Sequence, residues 1–94
     1  MVLFSPTNTG PLRHVSQFHK YAAGAELNFS VGLARLGLRS GLISKVGKDE
    51  FGQYILACMR AEGLETALVK EDPVHPTGVY FKEYSGLGDP KVYY

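Results

Sequence analysis

Apolar residues recur along the chain with two different spacings, one typical of helices and one typical of strands. The helical spacing begins near Ala25 and ends at Gly37, and its apolar side chains cover most of the helix circumference. We therefore expect this helix to be buried on more than one side, with Gly32 packed closely against a sheet. A second helix is predicted to begin after Asp49, which can cap it, and to end at Gly63.

Strand patterns precede, separate and follow the two helices. Short strands are predicted at residues 1–4, 41–46 and 67–70, and residues 15–21 predict an exposed strand because they have no clean apolar face. The order strand, helix, strand, helix, strand predicts a parallel sheet, and ligands of such sheets bind at the carboxyl ends of the strands. Residues 78–94 predict an antiparallel hairpin rich in tyrosine. The predicted fold class is α/β, with a Rossmann-like parallel sheet, flanking helices and a small additional β-sheet.

The composition is typical of one small soluble globular domain. The chain has 94 residues, of which 45% are hydrophobic and 20% charged, which is enough for a single core. Ten basic residues against nine acidic residues leave a net charge of +1 without any basic run, so we expect no nucleic-acid partner. The sequence has neither a long uncharged apolar run nor a basic-then-apolar N-terminus, so we expect no membrane partner and a cytoplasmic location.

Candidate metal and thiol chemistry is sparse. His14, His19 and His75 are far apart and have no cysteine or carboxylate at metal-ligand spacing. Cys58 is the only cysteine and lies on the predicted buried face of the second helix. Residues 47–52 contain a lysine between glycines but lack the Gly-Lys-Ser/Thr ending of a P-loop. We predict no metal site and no disulfide, and we interpret residues 47–52 as a turn and helix cap.

The densest cluster of motif residues runs from the start of the first helix to the start of the second. It contains a small-residue turn, an asparagine, a helix end and a glycine-bounded turn: Gly24-Ala25-Glu26-Leu27-Asn28, Ala34-Arg35-Leu36-Gly37 and Val46-Gly47-Lys48-Asp49-Glu50-Phe51-Gly52. This order resembles the first signature of the ribokinase-like (PfkB) family of carbohydrate kinases. With residues 76–83 and 88–94 included, the chain is most similar to the members that phosphorylate 2-keto-3-deoxygluconate, whereas fructokinases more often have proline where Glu26 stands.

The resemblance also implies an organisation. It implies a partial ribokinase-like fold in which residues 1–94 form the N-terminal part of a domain and residues 15–21 and 78–94 supply lid strands. Met1 would be an internal start, because a longer first strand precedes this point in the resembling kinases. The catalytic aspartate and the ATP pocket of that family lie near the C-terminus, so ATP and Mg²⁺ would serve only the complete enzyme. We therefore predict that this chain has no catalytic residue, binds no cofactor and is inactive alone.

Five residues are candidates for binding a sugar acid. By the resemblance, Gly24 admits the substrate to the backbone and Asn28 hydrogen-bonds a hydroxyl; from composition alone they are a helix start and a polar residue in its first turn. Tyr80, Tyr93 and Tyr94 are either substrate-binding residues or, as is commoner for tyrosine in hairpins, strand formers that cover a sheet. Tyr93 and Tyr94 cannot both place side chains on one ligand, because adjacent strand residues point to opposite faces.

Two functional hypotheses follow. The first is the substrate-recognition part of a 2-keto-3-deoxygluconate kinase, or of a fructokinase-type or ribokinase-type kinase. The second is a non-catalytic module that binds a sugar acid or associates through the lid strands. The hairpin carries more apolar side chains than two strands can hide, so we expect a homo-oligomer with contacts through Tyr80, Phe81, Val92 and Tyr94.

Overall fold

Two helices and two separate β-sheets make up the computed structural model, which describes residues 1–86 and 88–94. Leu87, in the turn of the predicted hairpin, lies outside the described residues. A short 3₁₀ helix, Leu12–His14, precedes the second strand. The elements in chain order are β1 (Val2–Pro6), β2 (Phe18–Ala22), α1 (Ala25–Arg35), β3 (Ser44–Gly47), α2 (Glu50–Ala61), β4 (Val69–Asp72), β5 (Val79–Glu83) and β6 (Lys91–Tyr93).

The smaller sheet contains β3 and β4, which are parallel and are connected by α2. This confirms the prediction of parallel strands on either side of the second helix. Both strands begin later than predicted, at Ser44 and Val69, although an isolated bridge between Gly41 and Glu65 extends the parallel pairing backwards. The pattern located the strands but not their ends, because strand boundaries depend on which backbone groups find a partner.

The larger sheet is mixed and has the strand order β2-β1-β5-β6. Strand β1 pairs antiparallel with β2 and parallel with β5, and β5 pairs antiparallel with β6. The expectation of one parallel sheet across both helices is therefore wrong: the strand before α1 belongs to this mixed sheet, not to the β3–β4 sheet. Strand β2 directly precedes α1 and pairs antiparallel with β1, whose other edge pairs with β5, so neither of these strands pairs with β3.

Helix α1 is buried along one side only. Leu27 and Ser30 are buried, and the Ser30 hydroxyl donates to the Gly41 carbonyl oxygen at 3.2 Å. Phe29 is 68% exposed and Leu36 is 79% exposed, so the expectation of burial on more than one side is wrong for the described residues. A Cβ atom at Gly32 would meet nothing within 4 Å, which also overturns the predicted close packing there. An apolar stripe in a helical sequence indicates which side chains are suited to burial, but it does not show whether another element packs on them.

Helix α2 supplies more buried apolar residues than any other element, namely Ile55, Leu56 and Met59. Its N-cap is Asp49, as predicted, and the left-handed residues Gly37 and Gly63, with φ of 85° and 73°, follow the two helices. The buried apolar side chains come from both sheets, both helices and the loop after α2: Val2, Leu27, Val46, Ile55, Leu56, Met59 and Leu64. Among the described residues, neither helix has the length and apolar content needed to cross a membrane.

One face of the mixed sheet packs on α2. The Phe4 ring meets the Phe51 ring edge-to-face at a centroid distance of 5.8 Å. The Tyr54 hydroxyl donates to the Lys20 carbonyl oxygen at 3.0 Å, and the Lys20 Nζ lies 4.1 Å from the Tyr54 ring centroid. Helix α2 thus contacts β3 on one side and the first two strands of the mixed sheet on the other.

Candidate functional site

A cavity of about 340 Å³ lies where the start of α1 faces β3 and α2. This volume is within the range of small-molecule sites. Its lining combines apolar core residues with small and polar residues from the segments that connect the two sheets: Met1, Ala23, Gly24, Ala25, Glu26, Leu27, Leu42, Ser44, Lys45, Val46, Ile55, Met59, Val69, Thr77 and Gly78.

Gly24 is the predicted site residue that lines this cavity. It is the N-cap of α1 and has φ of 127°, a backbone conformation that favours glycine. A Cβ atom built there would meet nothing within 4 Å, so the backbone at the helix start is open. The Gly24 backbone is therefore accessible from the cavity at the start of α1.

Asn28 lies one turn further along α1 and is exposed. Its backbone amide donates to the Gly24 carbonyl oxygen at 3.0 Å, which is the first hydrogen bond of the helix. Its side chain is outside the cavity lining. The structure thus places Gly24 and Asn28 on the same helical turn but gives only Gly24 a position on the cavity wall.

Tyr80 and Tyr93 lie in the mixed sheet, Tyr94 directly follows β6, and none of the three lines the cavity. Tyr80 and Tyr94 stack on each other with ring centroids 5.6 Å apart, and Tyr94 is 88% exposed. Tyr93 is paired with Phe81 in the β5–β6 register, and its hydroxyl lies 3.5 Å from Glu83 Oε2. Strand alternation therefore puts Tyr80 and Tyr94 on one face of the sheet and Tyr93 on the other.

Sequence reasoning missed a hydrogen-bonded cluster formed by Asp49 and Thr77. Asp49 Oδ1 accepts from the Gly52 amide and from the Thr77 hydroxyl, both at 2.7 Å, and Asp49 Oδ2 accepts from the Thr77 amide at 2.9 Å. The Thr77 hydroxyl in turn accepts from the Gly47 amide at 2.8 Å. The cap pattern predicted only the bond to Gly52, because Thr77 is 28 residues away and no local signal connects it to Asp49.

The hydrogen bonds within this cluster favour the ionised form of Asp49. Donation from the Thr77 hydroxyl, followed by the Thr77 and Gly52 amides, holds the pKa of the Asp49 carboxyl below its ordinary value of 3.8. The same effect occurs at Asp72, where the Val74 amide first, and then the His75 amide and ring, lower the pKa of the carboxyl to about 2. Both aspartates thus act as charged acceptors that order the backbone around them.

No metal site accompanies these carboxylates. Within residues 1–86 and 88–94, no three His, Cys, Asp or Glu side chains are grouped closely enough to hold a metal ion. The ion pairs Arg35–Glu62 and Arg39–Glu65, at 2.6 and 2.7 Å, lie on the surface beyond the C-terminal ends of the helices. The chemistry near the cavity therefore rests on backbone groups, hydroxyls and the Glu26 and Lys45 side chains.

Comparisons with known proteins find similarity to carbohydrate kinases along nearly the whole chain. The model of the pfkB family carbohydrate kinases matches residues 2–94. A 2-dehydro-3-deoxygluconokinase of Bacillus subtilis is 42% identical over 95 aligned positions, which cover 100% of this chain and 29% of that protein.

Solved structures share the fold. The crystal structure of a PfkB protein from Polaromonas sp. JS666 has a TM-score of 0.92 and 46% identity, and covers 100% of this chain and 32% of that protein. A sugar kinase of Pyrococcus horikoshii, PH1459, was solved in complex with ATP; it has a TM-score of 0.85 and 35% identity over 98% of this chain and 31% of its own. The chain thus spans less than a third of the length of these relatives.

Proposed function

The chain belongs to the pfkB family of carbohydrate kinases and has its ribokinase-like fold, and from that premise we propose that it is the substrate-recognition part of an ATP-dependent kinase of 2-keto-3-deoxygluconate. The proposed substrate rests on the 42% identity, over the whole chain, to the 2-dehydro-3-deoxygluconokinase of Bacillus subtilis. The compound 2-dehydro-3-deoxygluconate is the same sugar acid as 2-keto-3-deoxygluconate. We propose further that the mixed sheet is the lid, and we call it the lid sheet below.

In this proposal the open backbone at Gly24 receives the sugar acid. Asn28, on the same turn of α1, hydrogen-bonds a substrate hydroxyl, since its side chain offers two donors and an acceptor. The stacked pair Tyr80 and Tyr94 offers aromatic surface and phenol groups on one face of the lid sheet, and Tyr93 contributes through its backbone. ATP and Mg²⁺ serve the complete kinase, where Mg²⁺ neutralises charge on the phosphates, and they are bound outside this chain.

A chimera tests this proposal. The matching segment of the Bacillus subtilis kinase is replaced by this chain, and ATP turnover is measured with 2-keto-3-deoxygluconate, fructose and ribose. We expect turnover with the sugar acid. Turnover only with fructose or ribose would identify a fructokinase-type or ribokinase-type segment. A folded chimera without turnover on any sugar would instead favour a non-catalytic module.

Asn28→Ala in this chimera is expected to weaken the sugar acid far more than ATP. The loss of a hydrogen bond to a bound hydroxyl corresponds to about 1–3 kcal/mol, or roughly a 5-fold to 150-fold rise in KM for the sugar acid. Tyr80→Phe, which keeps the ring and its stacking on Tyr94, should have a smaller effect. Unchanged steady-state kinetics in a folded Asn28→Ala chimera would make Asn28 a structural residue.

We also propose that the isolated chain associates through the lid sheet. Tyr80 and Val92 lie on the same face of β5 and β6, Tyr94 follows β6 and stacks on Tyr80, and Val92 and Tyr94 are 40% and 88% exposed. Phe81 lies on the opposite face, stacked on Phe4 at 5.0 Å, and is no longer among the proposed contacts. Light scattering at low micromolar concentration should show a dimer or larger species. A monomer with fixed tyrosine dichroism in the near ultraviolet would contradict this.

A further inference from the structure

We propose that Asp49 and Thr77 are positioning residues that hold the lid sheet at a fixed angle to the unit formed by β3, α2 and β4. Their role in catalysis, which is to keep the lid tyrosines in place over the sugar site, rests on the proposed function. Their role in fixing the angle stands on the geometry of the described residues. Below, the latch means the hydrogen bonds that join Asp49 to Thr77 and Thr77 to Gly47.

The chain passes between the lid sheet and the β3–α2–β4 unit at two places. The first is the step from β2 to α1 at Ala23 and Gly24, where Gly24 has φ of 127° and no neighbour within 4 Å of its Cβ position. The second is the connection from β4 to β5 through residues 73–78. The first crossing is conformationally permissive, so the angle between the two units depends on the packing of the mixed sheet on α2 and on how firmly the second crossing is held.

The second crossing is held at both ends. At its start, Asp72 accepts hydrogen bonds from the Val74 amide at 2.9 Å and the His75 amide at 3.2 Å. At its end, Thr77 is 7% exposed and makes the latch bonds to Asp49 and Gly47. The next residue already belongs to the lid sheet network, because the Gly78 carbonyl oxygen accepts from the Val2 amide at 2.9 Å. The latch therefore couples the start of α2 directly to β1 and β5.

Helix capping alone does not account for Asp49. A cap needs one acceptor for an amide in the first helical turn, and the bond from the Gly52 amide meets that need. The other two hydrogen bonds of the Asp49 carboxylate go to Thr77, outside the helix. A serine at this position would cap α2 about as well but is too short to accept both bonds from Thr77. The two functions of Asp49 can therefore be separated by substitution.

Loss of the latch would change the position of the lid tyrosines, Tyr80 and Tyr94. Tyr80 is three residues after Thr77 in the chain and stacks on Tyr94. A change in the angle of the lid sheet moves this pair relative to Gly24, which is on the other side of the crossing. A displacement of about 1 Å in a substrate-positioning group can lower the rate by about 100-fold.

The test measures the angle directly in the full chain. In a Cys58→Ser background diluted with excess unlabelled chain to suppress distances between associated chains, spin labels at Lys91→Cys in β6 and Arg60→Cys in α2 report the distance between the two units by pulsed electron spin resonance. We expect Asp49→Ser and Thr77→Val to widen the distance distribution at least twofold. Thr77→Ser keeps the hydroxyl and should leave the distribution unchanged.

Each of the other outcomes either contradicts the proposal or means that one variant alone tests it. If both Asp49→Ser and Thr77→Val fold and keep the original distribution, the latch does not fix the angle. If Asp49→Ser loses its helical circular dichroism, Thr77→Val decides alone, and the original distribution in that variant overturns the proposal. If both variants unfold, the cluster serves overall stability and the positioning role is overturned.

The catalytic part is tested in the chimera described above. We expect Thr77→Val to raise KM for the sugar acid about tenfold and to lower kcat, with KM for ATP unchanged and with recovery in Thr77→Ser. Unchanged kinetics together with a widened distribution would overturn the catalytic role and leave the structural role. Failure of the proposed function is seen separately, because the chimera with an intact latch would then have no turnover with the sugar acid.

Discussion

The isolated chain is expected to transfer no phosphate from ATP to 2-keto-3-deoxygluconate. The reaction needs a base beside the accepting hydroxyl, bound Mg²⁺ and donors that stabilise charge on the moving phosphoryl group. The Asp49 and Asp72 carboxylates already have structural partners, since Asp49 accepts hydrogen bonds from Thr77 and Gly52, and Asp72 accepts them from the Val74 and His75 amides of its own turn. Groups that orient a hydroxyl without these elements cannot transfer phosphate.

This prediction is checked by a coupled ATP assay on the purified chain, run with and without the sugar acid. Turnover from a contaminating host kinase would be identical in a chain carrying Asn28→Ala. Turnover that depends on the sugar acid and falls in Asn28→Ala would come from the chain itself. That result would overturn the assignment of the catalytic machinery to residues outside this chain.

Gly52→Ala is expected to cause a large loss of stability, because the added methyl group meets tightly packed backbone. Its Cβ atom would overlap the Gly47 carbonyl oxygen and would lie 3.1 Å from Thr77 Oγ1 and 3.2 Å from Val46 Cγ2. The overlapping atom belongs to the backbone and is held by the β3–β4 pairing and the latch, so it cannot move aside cheaply. We expect a loss of about 3 kcal/mol, a large share of the stability of a small domain.

The matched control for this change is Gly32→Ala in the middle of α1. Nothing lies within 4 Å of the Cβ position at Gly32, so the added methyl group meets no obstacle. Alanine favours helix over glycine by about 0.5–1 kcal/mol, so this variant should be more stable than the parent chain. Urea unfolding followed by circular dichroism measures both variants. A Gly52→Ala chain with an unchanged midpoint would mean that the turn between β3 and α2 is not tightly packed.

Much of the local structure could be predicted from the sequence, because it depends on residues close together in the chain. The Asp49 cap acts three residues ahead on Gly52, and the glycine stops at Gly37 and Gly63 act within one turn of their helices. The parallel pairing of β3 and β4 follows from a strand, helix and strand of the right lengths. The family, and with it the fold, could be recognised from motif residues between Gly24 and Gly52.

The candidate site could be predicted only in part. The small-residue turn follows from the sequence, although the positive φ at Gly24 is seen only in the structure, and strand alternation separates Tyr93 from Tyr94. The stacking of Tyr80 on Tyr94 depends on the register of β5 against β6, which periodicity does not specify. The pairing of β1 with β5 places Phe81 beside Phe4, on the face opposite to Tyr80.

What the sequence determined by itself is therefore the set of elements, their caps and the family, since these follow from interactions within a few residues and from motif order. Only the tertiary structure decided that β1 joins the mixed sheet, that Phe29 is exposed, and that Asp49 reaches Thr77. Each of these depends on which surfaces and strand edges meet between segments that are tens of residues apart in the sequence. The local sequence does not predict such contacts, because sheet pairing and buried hydrogen bonds depend on the partner residue as much as on the residue itself.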